Sequence, residues 1–153
     1  MRKIFEEDAR YIHSAWNEDQ IDWVDLAFTD RVNLVGTTNK EEHEFTRLTR
    51  AEQAIIAPIN ETIPWLSRCS AGIEVKFETD SVNLFFKISL RGKANMCHMP
   101  ATGQCGFDVY VYDDASHQYV FHNTGTYNHE KTEVHYQLLQ FRLDDKKVRK
   151  FIV

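Results

Sequence analysis

The sequence predicts an all-β fold, an antiparallel β-sandwich or barrel behind a short N-terminal helix, on three observations. Apolar and polar residues alternate with a period of two through most of the second half of the chain. Turn-forming clusters, Asp80-Ser81 and Asp113-Asp114-Ala115-Ser116, interrupt that alternation at short intervals. No helical period intervenes between the segments so marked. Short strands with closely spaced turns are what sandwiches and barrels require.

Each element has its own reason. From Arg2 to about Trp16, Ile4, Phe5, Ala9, Ile12 and Trp16 fall on one helical stripe, so residues 1–20 read as an amphipathic helix or arm and 21–153 as the β domain. Val32–Val35, Phe45–Leu48 and Ala54–Ile59 are short strand candidates separated by polar or Pro-containing connections. Ile73, Val75 and Phe77, then Val82, Leu84, Phe86, Ile88 and Leu90, alternate on either side of Asp80-Ser81, which predicts a hairpin over 72–90. Phe107, Val109 and Val111, the Asp113–Ser116 turn and Gln118–His122 make a second hairpin. A strand over 133–143 and another from Lys147 to Val153 complete seven to nine strands. The expected core is Ile73, Val75, Phe77, Leu84, Phe86, Ile88, Val109, Val111 and Leu138. The chain stops inside the apolar run Phe151-Ile152-Val153, which predicts a boundary cut through a longer polypeptide and an unpaired strand edge.

Composition bounds the function. A chain of 153 residues is one domain, large enough to bury a core without disulfides or metal. Its 18 Lys+Arg against 23 Asp+Glu, net charge −5, argue against nucleic acid or an anionic membrane as partner, because phosphate binding needs clustered cations. No apolar run is long enough to span a bilayer, and the acidic start Met-Arg-Lys-Ile-Phe-Glu-Glu-Asp lacks the apolar region of a signal peptide, so a cytoplasmic location is expected. Cys69, Cys97 and Cys105, odd in number and without C-x-x-C spacing, are expected as free thiols.

Catalytic machinery is not expected. A serine hydrolase places its nucleophile on a Gly-flanked tight turn, and none of Gly36, Gly72, Gly92, Gly103, Gly106 and Gly125 begins G-D-S or G-x-S-x-G. Asp114-Ala115-Ser116-His117 offers an acid and a base but sits in a hairpin turn without a nucleophile. Cys105 with His98 could be read as a thiol and its base, yet the flanks predict a loop entering a strand, where nothing lowers a thiol pKa. Cysteines and seven histidines supply zinc-ligand types without ligand spacing, so neither metal nor cofactor is expected.

Residues 95–112 exceed what a plain sheet needs. Pro100, Gly103 and Gly106 punctuate a loop, Met96 and Met99 flank the titratable His98, and Asp108 and Tyr110 share the face of the following strand opposite the valines. The block Met96-Cys97-His98-Met99-Pro100-Ala101-Thr102-Gly103-Gln104-Cys105-Gly106-Phe107-Asp108-Val109-Tyr110 resembles the H-M-P-x-T-G-x-x-G-x-D-L-Y signature of the N-terminal domain of two-domain SGNH (GDSL-type) hydrolases. Pro64-Trp65-Leu66-Ser67-Arg68-Cys69-Ser70-Ala71-Gly72-Ile73 and Phe77-Glu78-Thr79-Asp80-Ser81 are similar to that domain's W-L-S-x-x-S-A-G-I and F-x-T-D-S stretches, and Phe45-Thr46-Arg47-Leu48 to its aromatic-x-R-L element. The similarity runs from about Trp23 to the end, with Val109 in place of Leu and Cys105 where a small polar residue is common.

The resemblance implies a jelly-roll β-sandwich carried before an α/β esterase domain that holds the catalytic Ser, Asp and His. The expected role is then that of a non-catalytic accessory domain of a carbohydrate or acyl ester hydrolase, shaping one side of the following domain's site. His98, Met99, Thr102, Gly103, Gly106, Asp108 and Tyr110 are the candidate binding or interface residues. The rival expectation is a free-standing carbohydrate-binding module stacking sugars on Tyr110 and Tyr112, with Trp65 nearby. The expected partners are an SGNH catalytic domain, a carbohydrate ligand on the rival reading, and a second copy as a homodimer through the apolar 95–112 loop.

Overall fold

A computed structural model describes residues 18–37, 45–90, 92, 96–125, 133–140 and 145–153, with the backbone alone for 18, 101, 102 and 133–140. The expected helix over Arg2–Trp16 lies outside the described residues, which open on a 3-10 turn at Glu18–Gln20. The fold is mostly β. Its strands are β1 (Asn33–Val35), β2 (Glu74–Thr79), β3 (Asn83–Ser89), β4 (Phe107–Asp113), β5 (Gln118–Gly125), β6 (Glu133–Gln140) and β7 (Arg149–Ile152). Among the described residues three short helices join them: α1 (Arg50–Ile56), α2 (Thr62–Ser67) and α3 (Ala101–Gln104). Every pairing is antiparallel, in a five-stranded sheet of order β1-β2-β7-β4-β5 and a separate β3-β6 ladder. None of the described helices is long and apolar enough to cross a membrane.

The β4–β5 hairpin forms as its alternation predicts. Asp113 closes the turn by accepting the backbone N–H groups of Ala115 and Ser116 at 3.4 and 2.9 Å, and His117 takes the left-handed conformation (φ 54°) that completes it. Hydrogen bonding by Ser116, first through its side chain, holds the Asp113 carboxyl below its ordinary pKa. The 72–90 segment is corrected. Both strands form, but β2 bonds to β1 and β7 while β3 crosses to β6. With both edges of β2 occupied, no edge is left for its sequence neighbour. Alternation identifies a strand and which face is wet, not its partner.

Two further expectations change. Ala54–Ile59 is not a strand; residues 50–56 are helical because Thr49 and Glu52 form a capping box, the Thr49 hydroxyl accepting from Glu52 N and the Glu52 carboxylate accepting from Thr49 N at 2.8 Å. Two bonds donated to that carboxylate, from Thr49 N first and from the Thr49 hydroxyl at 2.9 Å second, pull the Glu52 pKa down. Phe45–Leu48 is reduced to a single bridge at Thr46. The C-terminal run is not an unpaired edge: β7 lies between β2 and β4, and Val75 and Val153 exchange backbone hydrogen bonds at 2.8 and 3.0 Å.

The core follows from that placement. Val109 and Phe151 are the buried pair, with Phe77, Leu84, Phe107, Val111 and Val153 packed around them. Phe77, expected to be enclosed, is half-buried and stacks on Phe151 at 5.3 Å between ring centroids. Phe86 of β3 meets Phe107 of β4 at 5.1 Å, so side chains from the two sheets touch. Ile73, Val75, Phe86 and Ile88 are half-buried, and the expected core side chain Leu138 lies outside the described residues. Phe107 lies over Gly125, its register partner, where a Cβ would overlap the ring.

Candidate functional site

The predicted loop contains a helical turn. Pro100 ends the 97–99 turn in extended conformation, Gly103 N donates to Pro100 O at 2.9 Å, and α3 follows. Gln104, which sequence reasoning passed over, closes the segment. Its Oε1 accepts from Met96 N at 2.8 Å, and its Nε2 donates to Met96 O and Met99 O at 3.0 and 2.7 Å. One amide thus satisfies three backbone groups of a turn, leaving His98 and Met99 exposed on a braced frame. Gly103 is exposed and Gly106 takes φ +138°, a conformation open to glycine, where the chain turns into β4. The Thr102 side chain lies outside the described residues.

On β4 the predicted division of faces holds: Val109 is inside and Asp108 outside. Asp108 does not fasten the 97–104 turn; its Oδ1 accepts from Thr124 Oγ1 at 2.7 Å across the ladder. Tyr110 is half-buried, edge-on to Phe121 at 5.8 Å, and Tyr112 is edge-on to Tyr119 at 5.2 Å with Lys150 Nζ 5.4 Å from its centroid. The seven residues therefore form two groups: His98, Met99, Thr102 and Gly103 on the turn and α3, and Asp108 and Tyr110 on the outer face of β4, with Gly106 between them. The register steps between Val109 and Tyr110, so His122 is the extra residue of β5 there. Desolvation lowers the His122 pKa, although the side chain still reaches water.

Residues around α1 and α2 meet where sequence reasoning placed no site. Arg47 N donates to Ser67 O and Arg47 Nη2 to Leu66 O, both at 3.0 Å, tying the aromatic-x-R-L stretch to the W-L-S stretch. Arg47, Leu48, Ile63, Leu66 and Ser67 line an open groove of about 220 Å³. Trp65 stands on α2, which packs on α1 rather than on the β4 tyrosines. The aromatic-x-R-L and W-L-S stretches carry the available signal, but their convergence depends on α2, a helix that the period-two pattern does not show.

The arrangement carries no assembled hydrolytic group among the described residues. The Ser67 hydroxyl donates to Pro64 O, Ser81 accepts from Thr79, and Ser116 is engaged by Asp113. The three cysteines are free, Cys69 and Cys97 exposed and Cys105 half-buried. Among the described residues, no three His, Cys, Asp or Glu side chains gather as a metal site.

A family described as GxDLY, the N-terminus of Esterase_SGNH_hydro-type, matches residues 21–152, with Gly106-Phe107-Asp108-Val109-Tyr110 at its namesake motif. The chain belongs to this family. Within the GxDLY motif of this chain, glycine supplies the positive φ, the aspartate the cross-strand bond to Thr124, and the tyrosine the outward ring. No curated protein matches the sequence. Among solved structures, a GDSL-like lipase from Bacteroides ovatus ATCC 8483 is similar in fold, with a TM-score of 0.61 at 18% identity over 80% of this chain. The chain spans 34% of that lipase's length.

Proposed function

We propose that this GxDLY chain is the non-catalytic N-terminal accessory domain of an SGNH-type esterase acting on a carbohydrate or acyl ester, and that its two sheets form a jelly-roll sandwich. The family match over 21–152 supports the reading, because that family is described as the N-terminus of an SGNH-type esterase. A chain spanning 34% of the Bacteroides lipase leaves two thirds of such a polypeptide for the hydrolase. In this reading His98, Met99, Thr102, Gly103, Gly106, Asp108 and Tyr110 contribute one side of the hydrolase site. The support is geometric: Gln104 braces the turn and the core strand β4 carries the other group, and rigid supports suit residues that must position a neighbour. The test is p-nitrophenyl acetate hydrolysis by this chain and by the product of the gene's whole reading frame. Turnover by the longer product and none by the chain is expected. Turnover by the chain that Cys105→Ala or Ser116→Ala abolishes would overturn the reading.

A second reading, a carbohydrate-binding module, is favoured by one observation: Tyr119 and Phe121 are 39% and 54% exposed beside Tyr110 and Tyr112 on the outer sheet face. Binding in a glycan titration that Tyr110→Ala removes supports the module; silence across the panel supports the accessory role.

A further inference from the structure

The pair of helices α1 and α2 is built inside out. Its enclosed side chains are polar: Gln53 and Ser67 are 8% and 5% exposed, and the adjoining Thr46 is 1% exposed. Gln53 Nε2 donates to Leu48 O at 2.9 Å, Arg68 Nε to Gln53 Oε1 at 3.4 Å, Ser67 Oγ to Pro64 O at 2.8 Å and Thr46 Oγ1 to Leu48 O at 2.8 Å. Most of the large apolar residues face outward, Ile55 at 70% exposed, Ile59 83%, Ile63 42%, Trp65 61% and Leu66 45%, while Ile56 and Pro64 are half-buried. Ile63 and Leu66, one turn apart, form the apolar wall of the Arg47–Leu48 groove. Helices of seven and six residues have too few internal bonds to persist alone, and those of a lone domain turn apolar side chains inward. Here a hydrogen-bonded scaffold holds the reverse arrangement, and a cluster of large exposed apolar side chains marks a partner surface.

We infer that the α1–α2 face, centred on the Ile63–Leu66 groove, is the seat of the SGNH hydrolase domain, which inserts apolar side chains there. The inference rests on the accessory-domain reading. The occupant follows from the chain's proportions: a similar lipase has two thirds of its length beyond what this chain spans, enough polypeptide to cover the face in cis. On β5, Tyr119 and Phe121 are exposed to a similar degree, 39% and 54%, but each already packs edge-on against a ring of β4, Tyr112 and Tyr110, whereas Ile63 and Leu66 open onto a groove.

The test introduces Leu66→Asp, and separately Ile63→Asp, into this chain and into the product of the gene's whole reading frame, with Val148→Asp, at a site 65% exposed and outside both surfaces, as the control. Thermal unfolding and amide exchange over 62–67 are followed in each. Docking predicts that the chain's Tm changes by less than about 2 °C, because both sites are solvent-exposed, while the longer product loses about 5 °C or more. Residues 62–67 should also exchange at least about tenfold more slowly in the longer product than in the chain. If the longer product hydrolyses esters yet neither variant lowers its Tm, the seat is elsewhere and the accessory reading stands. Equal losses in chain and longer product mean that the chain covers the face itself, and self-association of the chain lost in Leu66→Asp assigns the face to a second copy; either overturns the inference. A longer product without esterase activity overturns the accessory reading itself and the docking with it.

Discussion

Phe151→Ala tests the central position of β7. Phe151 is 1% exposed, sits between β2 and β4, and contacts the buried Val109 while stacking on Phe77 at 5.3 Å and 21°. Removing an enclosed phenylalanine forfeits its transfer free energy and leaves a cavity, together about 3–5 kcal/mol. Against a total stability of about 5–15 kcal/mol, that removes from about a fifth to all of it. With a urea m-value near ~2 kcal/mol per M, the midpoint should fall by about 1.5–2.5 M at unchanged m. Phe77→Ala removes only the other, half-buried member of the stack and should cost roughly half as much. Urea titrations followed by far-UV circular dichroism measure both. A Phe151→Ala midpoint shift no larger than that of Phe77→Ala would refute the placement of β7 over the core.

Three further outcomes are expected. Gly36→Ala should destabilise more than Gly72→Ala: both have φ near +85°, worth about 1–2 kcal/mol, but a Cβ at Gly36 would also overlap the Gly72 carbonyl oxygen whereas that at Gly72 meets open space; paired denaturant curves rank them. Gln104→Ala should accelerate amide exchange at Met96 by unbracing its turn, with global stability lowered by no more than about 1–2 kcal/mol; exchange mass spectrometry of 96–104 reads this. His122 should titrate by NMR below the ordinary value of about 6.5, because desolvation disfavours its charged form. The unfolded state then takes up its proton first, so this contribution to stability is full above about pH 6.5 and is lost as pH falls through the lowered value.

Much of the β4–β5 hairpin was legible because its determinants are local: valines two apart, a run of turn formers, and register set by the turn. Pairing partners were not, since β2 and β3 each read as well for a hairpin as for separate ladders. β7 was legible as a strand, but its centrality is a long-range property of β2 and β4. The helix at 50–56 had a readable signal in Thr49-Arg50-Ala51-Glu52, outweighed by the apolar run Ala54–Ile59, whose period does not separate helix from strand. The 96–110 segment stood out through its Pro, Gly and Met content, whereas the role of Gln104 emerges only when Met96 and Met99 fold around it. The α1–α2 groove escaped notice because Arg47 and Leu66 are distant in sequence and meet through a backbone carbonyl.

That the nucleophile of the proposed esterase lies outside these 153 residues is open to a direct check by fluorophosphonate labelling. The chain and the product of the gene's whole reading frame are each treated with the probe, digested and mapped by mass spectrometry. No serine of the chain should carry the label, and a single serine beyond Val153 should carry it in the longer product. A stoichiometric label on any serine within residues 1–153 would contradict it.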